Sequence, residues 1–300
     1  SLKAHDTNTD TLISFLSKQG FNTILKRLGQ KPVSNDQSGP STATKQEAPI
    51  ADTEYTLIQD LETLKQWCDQ AKKEGVLAFD TETTSITPSR AELVGISIAS
   101  KIGKAAYIPV AHKSESVDLL GGGEDIKQLS ITDTLSVMKD LLEDPSVLKI
   151  AQNAKYDWQI LAAHGVHVSP IDDTMLISYV LEAGAHGHGM DELSELYFGH
   201  KPIPYKDVAG TGKSQVTFDY VPLDKALDYA AEDAEITLRL WHELKPKLEQ
   251  SGLLNVYERM ERPFIDVIGR MEMAGIEVDR QTLQSMSNQF AQDLVKLEQD

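Results

Sequence analysis

An α/β fold, with one mixed sheet surrounded by helices, is what three features of this sequence predict. Apolar strand candidates at Gly75–Thr81, Leu93–Ala99 and Ala105–Val110 come early and are joined by short connections, which favour antiparallel neighbours. Amphipathic helical stretches come mostly afterwards and end in a long one from Leu223 to Leu248. A composition of 40% hydrophobic and 25% charged residues over 300 residues is that of an ordinary globular protein with a real core. An α+β arrangement is the neighbouring option, since both classes pack helices around one sheet.

Taken in order, apolar side chains between Thr9 and Leu28 suit short helices belonging to a larger body, and alone they are too few to fold. Residues 30–53 are rich in Ser, Thr, Pro, Gln and Lys and almost lack large apolar residues, so a disordered linker is expected there. A globular unit then spans 54–251. It opens with a helix at Asp60–Glu74, followed by the three strands. After the loop containing Gly121, Gly122 and Gly123 come a helix at Asp133–Leu142 and a strand at Leu148–Ala151. Helices at Lys155–His164, Asp173–Ala183 and Met190–Leu196 precede the long helix. Residues 252–300 read as a helix from Val256 to Ala274, a break at Gly275, a strand-like Ile276–Val278 and a further helix from Gln281, the start of another domain. A chain that begins at Ser1 and ends inside a helical pattern is expected to be a segment of something longer.

Charge and cysteine usage narrow the function classes. A net charge of −17 argues against binding nucleic acid by a broad basic face, which is what counterion release requires. It leaves a nuclease open, because clustered carboxylates recruit divalent cations that in turn attract phosphate. The single Cys68 cannot form an internal disulfide and reads as a small buried hydrophobe, in keeping with a reducing cytoplasmic setting. No apolar stretch approaches the ~20 residues that span a bilayer, so no membrane partner is expected.

The chemistry lies in four acids. Asp80 and Glu82 end the apolar run Val76–Phe79, and a period of two turns both to one face of the strand. Asp157 lies in QNAKYD, just after the next strand. Asp233 closes YAAED, with Tyr229 one helical turn earlier on the same face. Four carboxylates at one point make a site for hard divalent cations. Two such ions suit phosphodiester hydrolysis, since they supply a nucleophile at neutral pH, a phosphate clamp and stabilisation of the leaving oxygen. Tyr229 can orient a water without carrying charge. There is no Cys/His set with zinc spacing. Gly210-Thr211-Gly212-Lys213-Ser214 imitates the end of a P-loop, but Asp207 stands where that motif needs glycine. A loop lying across a substrate strand, with Lys213 available to phosphate, is the expectation.

In this order the motifs resemble the 3′-to-5′ proofreading exonuclease domain of family A DNA polymerases of the bacterial DNA polymerase I type. The resemblance rests on DTETTS, AAYIPVAH, QNAKYD, DTML, GKSQVTF, YAAEDAEITL and LNVYERMERP, and covers about two thirds of the chain. It implies a ribonuclease-H-like core of the DEDD exonuclease group, in the branch with tyrosine as fifth residue. It divides the chain into the C-terminal tail of a 5′-nuclease domain (1–29), the linker, the exonuclease (54–251) and the start of a polymerase domain (252–300). It implies two divalent ions, Mg²⁺ with Mn²⁺ or Zn²⁺ as substitutes. Asp80, Glu82 and Asp233 would hold the first and Asp80 with Asp157 the second, while Tyr229 and Glu82 position the nucleophile. Ile86 and Phe218 would pack against the terminal bases, and Gln152, Asn153, Lys155 and Tyr156 would line the single-strand path. The implied substrate is the single-stranded or frayed 3′ end of DNA, cut to nucleoside monophosphates. The implied partner is a polymerase domain in the same parent chain, a monomer that acts in replication and repair.

Two rival readings stay open at this point. One is an RNA-processing exonuclease of the same fold, which the string from Leu254 to Pro263 disfavours. The other is a metal-free structural or binding module.

Overall fold

The structure is a computed structural model that describes residues 9–18, 21–29, 53–114 and 126–299. The linker expected over 30–53, except for Thr53, and the triglycine loop lie outside the described residues. Near the N-terminus α1 (Thr9–Lys18) packs against α2 (Asn22–Arg27).

One six-stranded sheet organises the rest. The strands are β1 (Glu54–Leu57), β2 (Val76–Thr83), β3 (Leu93–Lys101), β4 (Lys104–Pro109), β5 (Leu148–Ala151) and β6 (Ile171–Asp173). Their order across the sheet is β1-β4-β3-β2-β5-β6. The β2–β3 and β3–β4 pairs are antiparallel, as their short connections require, whereas β1–β4, β2–β5 and β5–β6 are parallel. This is the mixed sheet expected from sequence. The two edge strands, β1 and β6, have four and three residues and carry no periodic signal of that length.

Two faces of β2 serve two layers. Leu77 and Phe79 turn into a core shared with α3 (Leu61–Glu74), α4 (Ile131–Leu142) and α5 (Ala154–Ala163). Ala78 turns the other way, into a layer where Ala99 and Ala105 of the sheet meet Ala231, Ala234 and Leu238. The last three belong to the long helix α9 (Leu223–Gln250), at the i, i+3, i+7 spacing of one helix face. Five alanines at this contact let α9 lie close on the sheet, and that closeness sets where its carboxylates reach. Helices α6 (Thr174–Glu182) and α7 (Met190–Phe198) pack on the outer side of α9, around Ile177, Leu193, Ile236 and Leu240. The short α8 (Tyr205–Ala209) follows them in the chain.

Caps account for the helix boundaries. Asp60 begins α3 by accepting from the Thr63 N–H at 2.8 Å, and Gly75 ends it at φ 74°, a left-handed turn that a side chain would strain. Asp173 caps α6 rather than lying inside it, accepting from Met175 N at 2.9 Å. After Gly252, α10 (Leu254–Val256) runs through a π turn at Tyr257–Glu261 into α11 (Arg262–Ala274), and α12 spans Arg280–Gln299. Ile276–Val278 forms no strand; among the described residues it finds no partner strand, and Ile276 is 90% exposed.

Candidate active site

Three elements converge at the end of β2. Asp80 and Glu82 follow Ala78 by twos and therefore face α9, while Asp233 comes down from that helix. One ligand atom from each of the three carboxylates lies within 4.8 Å of the other two. The β2–β3 ladder shifts register between Glu82 and Thr83, so regular pairing stops where the acids gather.

Asp157 arrives from the opposite layer, on α5. Its Oδ1 accepts from the Thr81 main-chain N–H at 2.9 Å and from the Thr81 hydroxyl at 2.5 Å. Thr81 sits between the two strand acids but points to the other face, so the fourth carboxylate grips the strand from behind. Asp157 is thus held beside the other three and outside their tight trio.

Electrostatics mark the cluster as incomplete. Burial, and then the neighbouring Asp233, push Asp80 well above the usual carboxylate range. Glu82 is raised by burial and by Asp80, Asp233 and Asp157. Burial and Asp80 raise Asp157 against the pull of the Thr81 bonds, and burial with Glu232 and Asp191 raises Asp233 against a bond from Tyr229. Among the described residues no Lys or Arg pairs with any of the four, and the buried Glu82 Oε1 has no hydrogen-bond partner. Like charges in a low-dielectric site are relieved by taking up protons or by drawing in a cation. An all-oxygen donor set fits a hard divalent ion.

The acids open into a cavity of about 830 Å³ whose walls include Ile86, Gln152, Asn153, Tyr156, Tyr205 and Tyr229. Ile86 is 95% exposed at its rim. Gln152 is fixed by donating to His188 O at 2.8 Å, and the Tyr156 hydroxyl donates to Ser85 O at 2.5 Å. Asn153 holds a left-handed φ of 61° at the start of α5, with its N–H on Asp173 Oδ1 at 3.1 Å. Burial and Asp233 push the Tyr229 hydroxyl far up, so it acts as a protonated donor.

Two expected contact residues are placed differently. Phe218 is fully buried, against Tyr107, His112, Tyr205 and Tyr229, and offers no free face to a base. The apolar layer beneath α9 takes it in, because burying a ring outweighs exposing it. Lys155 lies outside the cavity wall, its ammonium paired with Glu272 of α11 at 2.5 Å. Besides Tyr156 and Tyr229, a third aromatic ring reaches the cavity, that of Tyr205, 39% exposed and stacked on Phe218 at 6.4 Å and 22°. Sequence reasoning missed it, since it follows Pro202 and Pro204 in a five-residue helix with no periodicity to read. The glycine-rich decoy is a short 3₁₀ turn, Gly212–Ser214, and Gly212 with Gln215–Thr217 forms one cavity wall. Lys213 is exposed there.

Comparison with known proteins agrees with this geometry. Residues 55–249 match the family model of a 3′-5′ exonuclease. DNA polymerase I of Rhizobium leguminosarum is 53% identical over 262 residues, which are 84% of this chain and 26% of that protein. The chain therefore spans about a quarter of the length of such curated relatives. Among solved structures, the POL domain of Pol1 from M. smegmatis, in complex with DNA primer-template and dNTP, superposes with TM-score 0.60 at 21% identity, covering 80% of this chain and 35% of that one. Escherichia coli RNase D, an exoribonuclease involved in structured RNA processing, superposes with TM-score 0.51 at 20% identity, covering 76% and 52%. The fold is that of the ribonuclease-H-like exonucleases, and with residues 55–249 matched the chain belongs to the 3′-5′ exonuclease family found within DNA polymerase I.

Proposed function

We propose that this 3′-5′ exonuclease removes nucleotides from single-stranded or frayed 3′ ends of DNA by two-metal hydrolysis, as the editing unit of a DNA polymerase I. The observation that carries the reading is the trio of Asp80, Glu82 and Asp233, with ligand atoms within 4.8 Å, no cationic partner among the described residues, and Asp157 held beside it by Thr81. The trio would hold the first ion, and Asp80 with Asp157 the second. Mg²⁺ is the expected ion, with Mn²⁺ or Zn²⁺ as substitutes. When bound, the pair supplies a nucleophile at neutral pH, a phosphate clamp and charge stabilisation for the leaving 3′ oxygen.

The protein's own residues orient the reaction. Tyr229 donates to the carboxylate side of the site, and with Glu82 it aligns the attacking water. Ile86 wedges against the terminal base and Tyr205 offers a ring on which any base can stack, a sequence-blind grip that suits removal of any mismatch. Phe218 supports these contacts from beneath. Gln152, Asn153 and Tyr156 line the path of the strand, and Lys155 serves it only if it leaves Glu272. The 53% identity to a DNA polymerase I favours DNA over RNA as substrate. The parent protein carries DNA-directed polymerase activity in a domain that begins near residue 252, and works as a monomer in the cytoplasm. No described helix is long and apolar enough to cross a membrane.

The deciding experiment digests 3′-labelled and 5′-labelled single-stranded DNA with Mg²⁺ or Mn²⁺, using the unmodified chain and Asp157→Ala. Stepwise shortening from the 3′ end that needs metal and disappears in the variant is expected. Equal activity in the two proteins overturns the two-metal assignment.

A further inference from the structure

Helix α5 carries Asp157, and the segment beyond residue 252 bears on that helix in two ways, indirectly through Asp173 of β6 and directly through α11. At its N-terminus, Asp173 accepts the main-chain N–H of Asn153 at 3.1 Å and of Ala154 at 2.9 Å. Asp173 sits on β6, a three-residue edge strand that pairs on one side only, with β5. Its free side is taken by residues from the distal segment. The Tyr257 hydroxyl accepts the Asp173 N–H at 2.9 Å and donates to Asp172 Oδ1 at 3.2 Å. Arg262 donates to Ile171 O at 2.8 Å and pairs with Asp172 at 3.2 Å. Asp172 is fully buried and also accepts from Trp241 of α9 at 2.8 Å.

Along its length α5 is held by α11. A Cβ at Gly269 would stand 2.8 Å from the Trp158 ring, so the glycine allows the backbone to lie against the residue next to Asp157. Glu272 then bridges Lys155 at 2.5 Å and Gln159 at 2.7 Å, the residues two before and two after the carboxylate.

We propose that residues 257–272 are a positioning element of the nuclease: the Tyr257 hydroxyl, through Asp173, and Glu272 with Gly269, through α5, set where Asp157 stands relative to Asp80. The inference rests on Asp157 serving the site as described above. It moves the functional boundary of the exonuclease past residue 252, and makes Tyr257 a group through which a distal domain acts on editing. A hydrogen-bonded group behind a metal ligand tunes affinity for the ion, by ~10–100-fold when it contacts the ligand itself. A group one step further away acts more weakly.

The test uses the full 300-residue chain with Tyr257→Phe and Glu272→Ala, beside the unmodified protein and Asp157→Ala. Activity on single-stranded DNA is titrated against Mg²⁺, and thermal stability is followed alongside. Tyr257→Phe is expected to raise the half-saturating Mg²⁺ concentration and lower kcat by roughly 3–10-fold, leaving KM for DNA within about twofold. Glu272→Ala shifts the same two quantities in the same direction by less. A lowered Tm with kcat and the Mg²⁺ midpoint unchanged in both variants would make these contacts merely structural and overturn the proposal. Should Tyr257→Phe fail to fold, Glu272→Ala decides alone by the same readout, since its side chain is 46% exposed. Full activity of Asp157→Ala instead sinks the reading of Asp157 itself, a separate outcome.

Discussion

Asp157 accepts two hydrogen bonds from a single residue, Thr81, at 2.9 Å from its main-chain N–H and 2.5 Å from its hydroxyl. Because Thr81 lies between Asp80 and Glu82, this contact fixes the distance between carboxylates that reach the site from opposite layers. Removing the hydroxyl by Thr81→Val keeps the shape and the N–H bond but loses a bond to a charged group, worth ~1.5–3 kcal/mol. A fall of roughly 10-fold in kcat with near-normal KM is the expected outcome in steady-state kinetics.

Metal-free, the cluster opposes folding. Burial and mutual repulsion raise all four carboxylates, with no Lys or Arg pairing to any of them among the described residues. Asp80→Asn removes one repelling charge at constant shape. In EDTA the variant is expected to melt about 3–6 °C higher than the unmodified chain, a gain of ~1–2 kcal/mol. Added Mg²⁺ stabilises the unmodified protein by binding only its folded state and leaves the variant little changed. Scanning calorimetry with and without the ion reads both effects.

Tyr229 stands one turn before Asp233 and hydrogen-bonds to it, with its hydroxyl pushed far above its ordinary range by burial and that same carboxylate. It therefore stays protonated wherever the enzyme works. Tyr229→Phe is expected to lower kcat by about 10–100-fold, the loss of a positioned donor near the nucleophile. The shape of the pH–rate profile up to pH 9 should not change, and a new ionisation in the variant would contradict a purely orienting hydroxyl.

Ile86 and Tyr205 both line the cavity, one 95% and the other 39% exposed. Stacking on an aromatic ring is worth ~1–3 kcal/mol per base. Tyr205→Ala should weaken binding of a short single-stranded oligonucleotide by roughly 5–100-fold, equally for the four bases. Phe218→Leu, buried beneath, should cost stability more than binding. Fluorescence anisotropy with an inert Asp157→Ala background measures the affinities.

Three of the four acids are legible because they obey a local period, whereas Asp157 obeys none and is marked only by QNAKYD just after a strand. Asp80 and Glu82 follow a strand's alternation, and Tyr229 and Asp233 follow a helical turn. Burial decided what the local pattern could not. Phe218 looks like any exposed loop aromatic until α9 covers it, and no local pattern marks Tyr205 as a wall residue. Glu54–Leu57 and Ile171–Asp173 are too short to carry a period, and their pairing comes from β4 and β5, distant in sequence. Ile276–Val278 has strand-like residues but no neighbouring edge, and strand propensity without a partner is weak. The hold of Glu272 on Lys155 spans 117 residues and left no trace in either local sequence.

His112 links the site's aromatic backing to the stability of the whole. Its Nδ1–H donates to Val221 O at 3.1 Å, which leaves Nε2 to accept from the Tyr107 hydroxyl at 2.7 Å. That pattern requires the neutral ring. Burial lowers its pKa from 6.5 to about 4, despite the bond to Val221 and the nearby Asp219, which both favour the charged form. In the unfolded chain the ring protonates near 6.5, so as pH falls from about 6.5 to 4 the unfolded state takes up a proton that the folded state refuses. The stability contribution is full above the unfolded value and is lost towards the folded one, by up to about 3 kcal/mol. His112→Gln has no such proton to take. The difference in urea unfolding free energy between the unmodified chain and the variant should therefore shrink steadily from pH 7 to pH 4, and a constant difference would mean that the ring takes up its proton as readily in the folded chain as in the unfolded one.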